Sequence, residues 1–173
     1  ENCTKMGSSL YPVFMGCDAL KTVNVGNDVK TISNNAFKDC TGLMSVTIGN
    51  NVTEIGASAF YNCTSLSQVN ISDLSAWCKI DFGSIEANPL YSAKKLNLNG
   101  IEIIDLVIPN DIDEIKQYAF SNCTGLTSIS IHNSVIEIGE KAFYGCKNLV
   151  EFDNEKFPTS VKFNMNTLWS QNL

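Results

Sequence analysis

A short motif, Ala-Phe-x-x-Cys-x-x-Leu, recurs along this chain at a fixed interval. Ala36-Phe37 with Cys40 and Leu43 is one copy, and Ala59-Phe60 with Cys63 and Leu66 is the next. Ala119-Phe120 with Cys123 and Leu126 follows, then Ala142-Phe143 with Cys146 and Leu149. Phe14, Cys17 and Leu20 form an earlier copy, with Val13 in place of Ala. The steps Phe14 to Phe37, Phe37 to Phe60 and Phe120 to Phe143 are each 23 residues. A period of this length restricts the fold to stacked repeats. One such unit is too small to bury an apolar face alone, and many units in register can do so.

Other positions keep the same phase. Val23 and Val25, Val46 and Ile48, Val69 and Ile71, and Ile129 and Ile131 follow their Phe at constant offsets. Val29, Val52, Ile112 and Val135 precede it, as do Ile32, Ile55, Ile115 and Ile138. Ser45-Val46-Thr47-Ile48 alternates polar and β-branched residues, the pattern of a half-buried strand. One such strand per unit is expected, paired in parallel with its neighbours about 4.8 Å away. Phe37, Cys40, Leu43, Val46 and Ile48 then point inward with their equivalents. The stretch Asn35 to Cys40 reads as a tight helical or 3₁₀ turn on the opposite wall, and Gly56, Gly139 and Gly49-Asn50-Asn51 as corners.

From Phe60 to Phe120 the phase is interrupted, the gap being 60 residues. Leu90 lies midway and starts a degraded unit, with Ala93 at the Cys position and Leu96 at the Leu position. Ser72 to Cys78 reads as a short helix capped by Ser72 or Asp73. Asn99-Gly100, between Lys95-Leu96-Asn97-Leu98 and Ile101-Glu102-Ile103-Ile104, reads as a two-residue hairpin turn, because both positions need positive φ.

The run Ile55-Gly56-Ala57-Ser58-Ala59-Phe60-Tyr61-Asn62-Cys63-Thr64-Ser65-Leu66-Ser67-Gln68-Val69-Asn70-Ile71 resembles the BspA-type bacterial leucine-rich repeat throughout. The stretches Asp73 to Ile80 and Asn88-Pro89-Leu90-Tyr91 also resemble segments common in that family, and the likeness spans about residues 13 to 152. It implies an α/β solenoid, a right-handed leucine-rich-repeat superhelix with a parallel β-sheet and about six repeats, one of them degenerate with an inserted helix and hairpin. The whole of 1–173 is then one domain. Residues 1–12 are an N-terminal segment or worn repeat, 13–152 the repeats (irregular at 72–105), and 153–173 a C-terminal cap built on Phe157-Pro158, Val161, Phe163, Leu168 and Trp169. The resemblance also implies a surface or secreted protein of host-associated bacteria, linked to adhesion to host proteins, co-aggregation and matrix binding. The family's motif residues are structural, so no catalytic residue carries over.

Composition narrows the partners. Twelve basic against eighteen acidic residues give a net charge of -6, which repels nucleic-acid phosphates. No apolar run approaches the roughly 18 residues of a membrane span. No secretory leader opens the sequence, and Glu1 reads as a cut end. Seven cysteines are an odd number, with no Cys-x-x-Cys pair. Cys17, Cys40, Cys63, Cys123 and Cys146 share one repeat position and read as a ladder of small buried hydrophobes. Cys78 is expected beside Trp77 on the inserted helix, and Cys3 lies outside the pattern. His132, the only histidine, reads as an exposed turn residue. The carboxylates Asp111, Asp113 and Glu114, like Glu151, Asp153 and Glu155, lack calcium-loop spacing. No enzyme activity, metal or cofactor is expected.

The Asn-x-Ser/Thr triplets at Asn62 and Asn122 fall on the repeat and read as turn chemistry rather than glycosylation. The outward strand positions remain for recognition: Thr22, Asn24, Ser45, Thr47, Gln68, Asn70, Ser128, Ser130, Glu151 and Asp153. They lack the Tyr, Trp and Arg of typical hot spots. Trp77, Phe82, Leu90 and Tyr91 cluster in the irregular stretch, either as a mini-core or as an exposed aromatic patch. The expected function is a non-catalytic interaction module that binds an unidentified host or partner protein through the sheet face. A purely structural spacer is the alternative.

Overall fold

A computed structural model describes residues 13–149, and the strand backbone at 5–6, 151–152 and 162–163. The elements run in the order β1 (Lys5–Met6), β2 (Thr22–Asn24), β3 (Thr31–Ile32), β4 (Ser45–Thr47), β5 (Glu54–Ile55) and β6 (Gln68–Ile71). The irregular stretch follows with α1 (Leu74–Cys78), β7 (Asp81–Phe82), a 3₁₀ turn (Ile85–Ala87), α2 (Leu90–Ala93), β8 (Leu96–Leu98) and β9 (Ile101–Glu102). Regular coils resume with β10 (Asp105–Val107), β11 (Glu114–Ile115), β12 (Ser128–Ser130), β13 (Glu137–Ile138), β14 (Glu151–Phe152) and β15 (Lys162–Phe163).

Each regular coil carries two strands, not the single one expected. The longer follows the Leu, as in β4. The second is a two-residue strand ending at the conserved-phase isoleucine, as in β5, which pairs Ile55 with Ile32. The longer strands form the sheets β2-β4-β6-β8-β9 and β10-β12-β14, and the short strands form β1-β3-β5-β7 and β11-β13-β15. All pairings are parallel except that of β8 with β9. β1 falls within the expected N-terminal segment and β15 within the expected cap, and each adds a rung to the short-strand wall. The cap residues Phe157, Pro158, Val161, Leu168 and Trp169, like Cys3, lie outside the described residues.

The Phe side of each coil is neither helical nor 3₁₀. Its main-chain N–H groups alternate in direction. Ala36 and Lys38 donate within the turn, to Ser33 O (3.2 Å) and Asn35 O (3.1 Å). Asn35, Phe37 and Asp39 donate to the next coil, to Ala57 O (3.1 Å), Ala59 O (2.9 Å) and Tyr61 O (2.9 Å). A helix would direct every N–H along its own axis and leave the coils unjoined. The alternation requires left-handed residues on both sides of the Phe: Asn35 and Asp39 (φ 57° and 60°), Ser58 and Asn62 (56° and 59°), Tyr118 and Asn122 (63° and 61°). The second of these positions holds Gly16, Asp39, Asn62, Asn122 and Gly145, residue types that enter this region at least cost. This is the turn role expected for Asn62 and Asn122. At the corner Gly56, a Cβ would sit 2.5 Å from the main-chain N of Asn34 in the preceding coil.

Inside, like stacks on like. The Phe14 and Phe37 rings lie 5.3 Å apart and 5° from parallel, Phe37 and Phe60 5.2 Å apart, and Phe120 and Phe143 5.4 Å apart. Such offset stacks add roughly 0.5–1.5 kcal/mol each to the burial itself. Cys40, Cys63 and Cys123 are fully buried, as is Cys78 beside Trp77. The ladder has a further function that spacing does not reveal. The Cys40 thiol donates to Phe14 O (2.9 Å), Cys63 to Phe37 O (3.2 Å) and Cys146 to Phe120 O (3.1 Å), tying each coil to the one before. Two of the five depart from the expectation: Cys17 is exposed and Cys146 only half-buried.

The irregular stretch closes only one circuit, from β6 through β7 to β8. Leu96 pairs with Val69, so it occupies the strand position and not the Leu position expected, because α2 leads almost directly into the strand. Asp73 caps α1 by accepting from Ala76 N (3.0 Å), and Asn99-Gly100 turns the β8–β9 hairpin at φ 52° and 83°. Both walls break here: β7 and β11 share no ladder, nor do β9 and β10. Side chains take over at this seam. Ala36 O, Ala59 O and Ala142 O each accept from the Phe amide of the preceding coil. Ala119 O accepts instead from Trp77 Nε1 (3.0 Å) and Asn88 Nδ2 (3.1 Å). Asn88, fully buried, also donates to Tyr118 O (2.8 Å) and accepts from Leu90 N (2.9 Å).

Two expectations follow. Asn88→Leu leaves the buried Leu90 N–H without its acceptor, and Tyr118 O and Ala119 O with one donor each instead of two, and should cost about 1–3 kcal/mol by denaturant unfolding. A cost near zero would show that the seam holds without it. Burial also pushes the thiols of Cys63, Cys78 and Cys123 up to about 12 from the ordinary 9.0, and those of Cys40 and Cys146 upward too. Above pH 9 the unfolded chain therefore ionises thiols that the folded chain keeps neutral, so stability present below pH 9 is lost up to about pH 12. Each fully buried thiol contributes roughly 1.4 kcal/mol per pH unit to that loss. Thermal midpoints measured across this range should fall, and less steeply in the Cys63→Ala/Cys123→Ala chain. Equal slopes in the two chains would contradict the assignment.

Candidate functional site

The long-strand wall turns its alternate residues outward because Val46, Val69, Leu96, Leu106 and Ile129 turn inward to the core. Register then sorts the expected positions into rows. Thr22, Ser45 and Gln68 form one row. Asn24, Thr47 and Asn70 form a second, which Asn97 extends. Past the seam, Ser128 lies between Asp105 and Glu151, and Ser130 pairs with Val107. The wall is thus two patches, separated by the hairpin. Only the backbone of Glu151 is described, and Asp153 lies outside the described residues.

The first patch is hydrogen-bonded within itself. Asn70 Nδ2 donates to Ser45 Oγ (3.0 Å), and Asn97 Nδ2 donates to Asn70 Oδ1 (3.0 Å). Gln68 Nε2 also donates to Ser45 Oγ (3.3 Å). In the second patch, Ser128 Oγ donates to the exposed Asp105 at 2.6 Å, with Thr127 Oγ1 at 3.3 Å. Between the patches the character changes. Ile101, Ile104 and Val107 are 75%, 51% and 66% exposed. With Leu74 and Leu98 they line an open groove of about 490 Å³ between the hairpin and β10, whose charged lining residues are Glu102 and Asp105.

Asn97, Asp105, Val107, Ile101 and Ile104 were not among the expected site residues. Alternation contained part of the signal: with Ile103 buried its neighbour Ile104 faces out, and with Leu106 buried so does Val107, whereas Ile101 is exposed because it sits beside the hairpin turn. Conversely, Trp77, Phe82 and Leu90 form a buried mini-core, with Trp77 and Phe82 edge to face at 5.5 Å. Of that cluster Tyr91 alone is exposed, at 39%.

Other groups serve the framework. His132 is half-buried rather than exposed. Its Nε2 faces Pro109 O at 2.6 Å, and its Nδ1 accepts from Ser134 N at 3.2 Å, so it fastens one corner to the previous coil. Asp111 accepts from Lys79 Nζ (2.9 Å) and Ser75 Oγ (2.7 Å), and these bonds hold its carboxyl below the usual range. Lys116 bridges Glu114 (2.7 Å) and Asp81 (3.8 Å) across the short-strand seam. Exposed pairs of this kind are screened by water and salt and add little to stability. Among the described residues no three His, Cys, Asp or Glu groups gather as a metal site, and no helix is long and apolar enough to cross a membrane.

Comparison with known proteins agrees with this architecture. A leucine-rich repeat protein from T. pallidum is 26% identical with a TM-score of 0.56, matching over 96% of this chain and 72% of its own. A leucine-rich repeat protein from Bacteroides ovatus is 27% identical with a TM-score of 0.50, over 93% of this chain and 39% of its own. Curated proteins give no match. The model of the BspA-type leucine-rich repeat region matches residues 8–97 and 94–169 in six copies. With two stacks of parallel coils and a repeat signature over nearly its whole length, the chain belongs to the BspA-type leucine-rich repeat family.

Proposed function

We propose that this chain is a non-catalytic protein-binding module displayed at a bacterial surface, which meets a host or partner protein through the outward face of its long-strand wall. Repeats of this type are generally protein-interaction modules and typically belong to bacterial surface proteins. The observation that carries the reading is the register of the wall. Thr22, Ser45 and Gln68, then Asn24, Thr47, Asn70 and Asn97, stand in rows that contribute nothing to the core. The opposite side of each coil, by contrast, is spent on buried Ala, Phe and Cys.

Size sets a limit on this surface. Four parallel strands at about 4.8 Å spacing, each contributing about 10 Å of length, present roughly 200 Å². A stable interface needs about 800 Å² per partner. The polar rows alone therefore give weak binding, and a useful affinity requires the apolar residues around the hairpin as well. One observation favours a spacer role instead: Asn97, Asn70 and Ser45 satisfy one another's hydrogen bonds and leave few groups seeking a partner.

Thr47→Glu, Asn70→Trp and Ser130→Glu separate the two roles. All three side chains face outward; Thr47→Glu and Ser130→Glu should change stability by about 0.5 kcal/mol, and Asn70→Trp should cost about 1 kcal/mol because it loses the bonds to Ser45 and Asn97. Binding to matrix proteins or epithelial cells should fall at least about tenfold in the combined variant, equivalent to about 1.4 kcal/mol. Unchanged binding would remove the wall from the interface, and a parent chain that binds none of them would favour the spacer.

A further inference from the structure

We propose that the break between β9 and β10 is a docking notch for an extended peptide segment of a partner protein, one that alternates β-branched apolar residues with lysine or arginine. The proposal rests on the protein-binding reading above and gives it a place and a partner chemistry.

Three observations meet at the notch. The first is the main chain. In regular coils a long strand has a ladder on both sides, as β4 does with β2 and β6. β9 pairs with β8 alone and β10 with β12 alone, so the sides of β9 and β10 that face the break carry no ladder. An uncovered strand edge is a template for another strand, and proteins ordinarily blunt it with lysine, proline or a covering loop. β10, Asp105-Leu106-Val107, has neither lysine nor proline along its own length.

The second is the side chains. Ile101, Ile104 and Val107 are exposed within seven residues of one another, whereas the exposed Met44, Tyr61 and Ile136 stand apart. Together with Leu74 and Leu98 they give the groove apolar flanks. An added strand presents every second side chain to one face, so the segment that fits carries apolar residues at alternate positions.

The third is charge. The charged residues lining the groove are Glu102 and Asp105, both acidic, in a chain of net charge -6. Lys95 lies 3.1 Å from Glu102 and offsets part of its charge. Asp105 has hydroxyl partners, Ser128 and Thr127, and no salt bridge among the described residues. The interleaved positions of the guest therefore favour a cation and disfavour a carboxylate. Main-chain pairing holds such a segment, the apolar flanks set its register, and Asp105 selects its charge.

The test uses the full chain and a fluorescent synthetic peptide alternating valine with lysine, read by anisotropy. Two further peptides accompany it, one with glutamate for lysine and one N-methylated at alternate amides. The first should bind, and both others at least tenfold more weakly. Val107→Lys and Ile104→Lys should weaken binding of the first peptide at least tenfold, with circular dichroism unchanged. The proposal is overturned if the N-methylated peptide binds as tightly, if these variants bind like the parent, or if the parent binds no peptide. Loss of peptide binding in Thr47→Lys but not in Val107→Lys would move the partner to the polar rows, sparing protein binding and sinking the notch. Dimerisation of the chain alone, abolished by Val107→Lys, would assign the notch to a second copy and overturn the peptide. Cell and matrix binding is read separately, so it can fail or succeed independently of these outcomes.

Discussion

The structure depends on one constraint: a 23-residue coil cannot bury its own apolar face, so every coil must meet the next in register. Stacking then solves three problems together. Phe37 finds Phe60, the Cys63 thiol finds Phe37 O, and the odd-numbered amides of the Phe turn find the carbonyls of the following coil. A shift of one residue would undo all three and turn Val46 to solvent. That explains why the polar rows are in register without having been selected to be so. They are the outward half of an alternation whose inward half is fixed by the core.

The interruption shows what happens when the ladder stops. Both walls lose their ladders at the same level; Lys116 N still donates to Cys78 O (3.4 Å), and a side-chain set supplies the rest: the Trp77 indole, the Asn88 amide and the Lys116 bridge. Asn88 is the clearest case, a buried amide that donates where a Phe amide would have donated. On the short-strand side the replacement closes the seam with polar groups such as Gln117, whose amide donates to Phe82 O at 3.3 Å. On the long-strand side the hairpin turns away and leaves two strand edges with exposed isoleucines and a valine. The irregular coil is thus both a structural repair and the place where the surface departs most from the small polar pattern.

Much of this was legible in the residues. The period places the Phe stack, the Cys ladder, the longer strands, the Asp73 cap and the Asn99-Gly100 turn, because each follows from a local pattern or from phase. The second strand of each coil was not, since two residues such as Glu54-Ile55 are too few to show alternation. The turn side was misread because Asn35 to Cys40 has helix-like local bonds. Only its pairing with the next coil reveals the alternating directions of the amides. The candidate site was half legible. Rows such as Asn24, Thr47 and Asn70 follow from strand phase, whereas Val107 looks like core beside Leu106 until the hairpin fixes which of the two turns inward. Asn88 gave no sign of its role, because its partners at Tyr118 and Ala119 lie thirty residues away in sequence.

Register is tested most directly by excising one coil. Removing residues 36–58, a deletion of 23, joins Asn35 to Ala59 in phase. The shortened chain should keep a β-rich circular dichroism spectrum and a single cooperative unfolding transition. A deletion one residue longer or shorter should lose that transition. If the in-phase deletion fails to fold, or if the out-of-phase deletion folds as well as it does, stacking in register is not what holds this chain together.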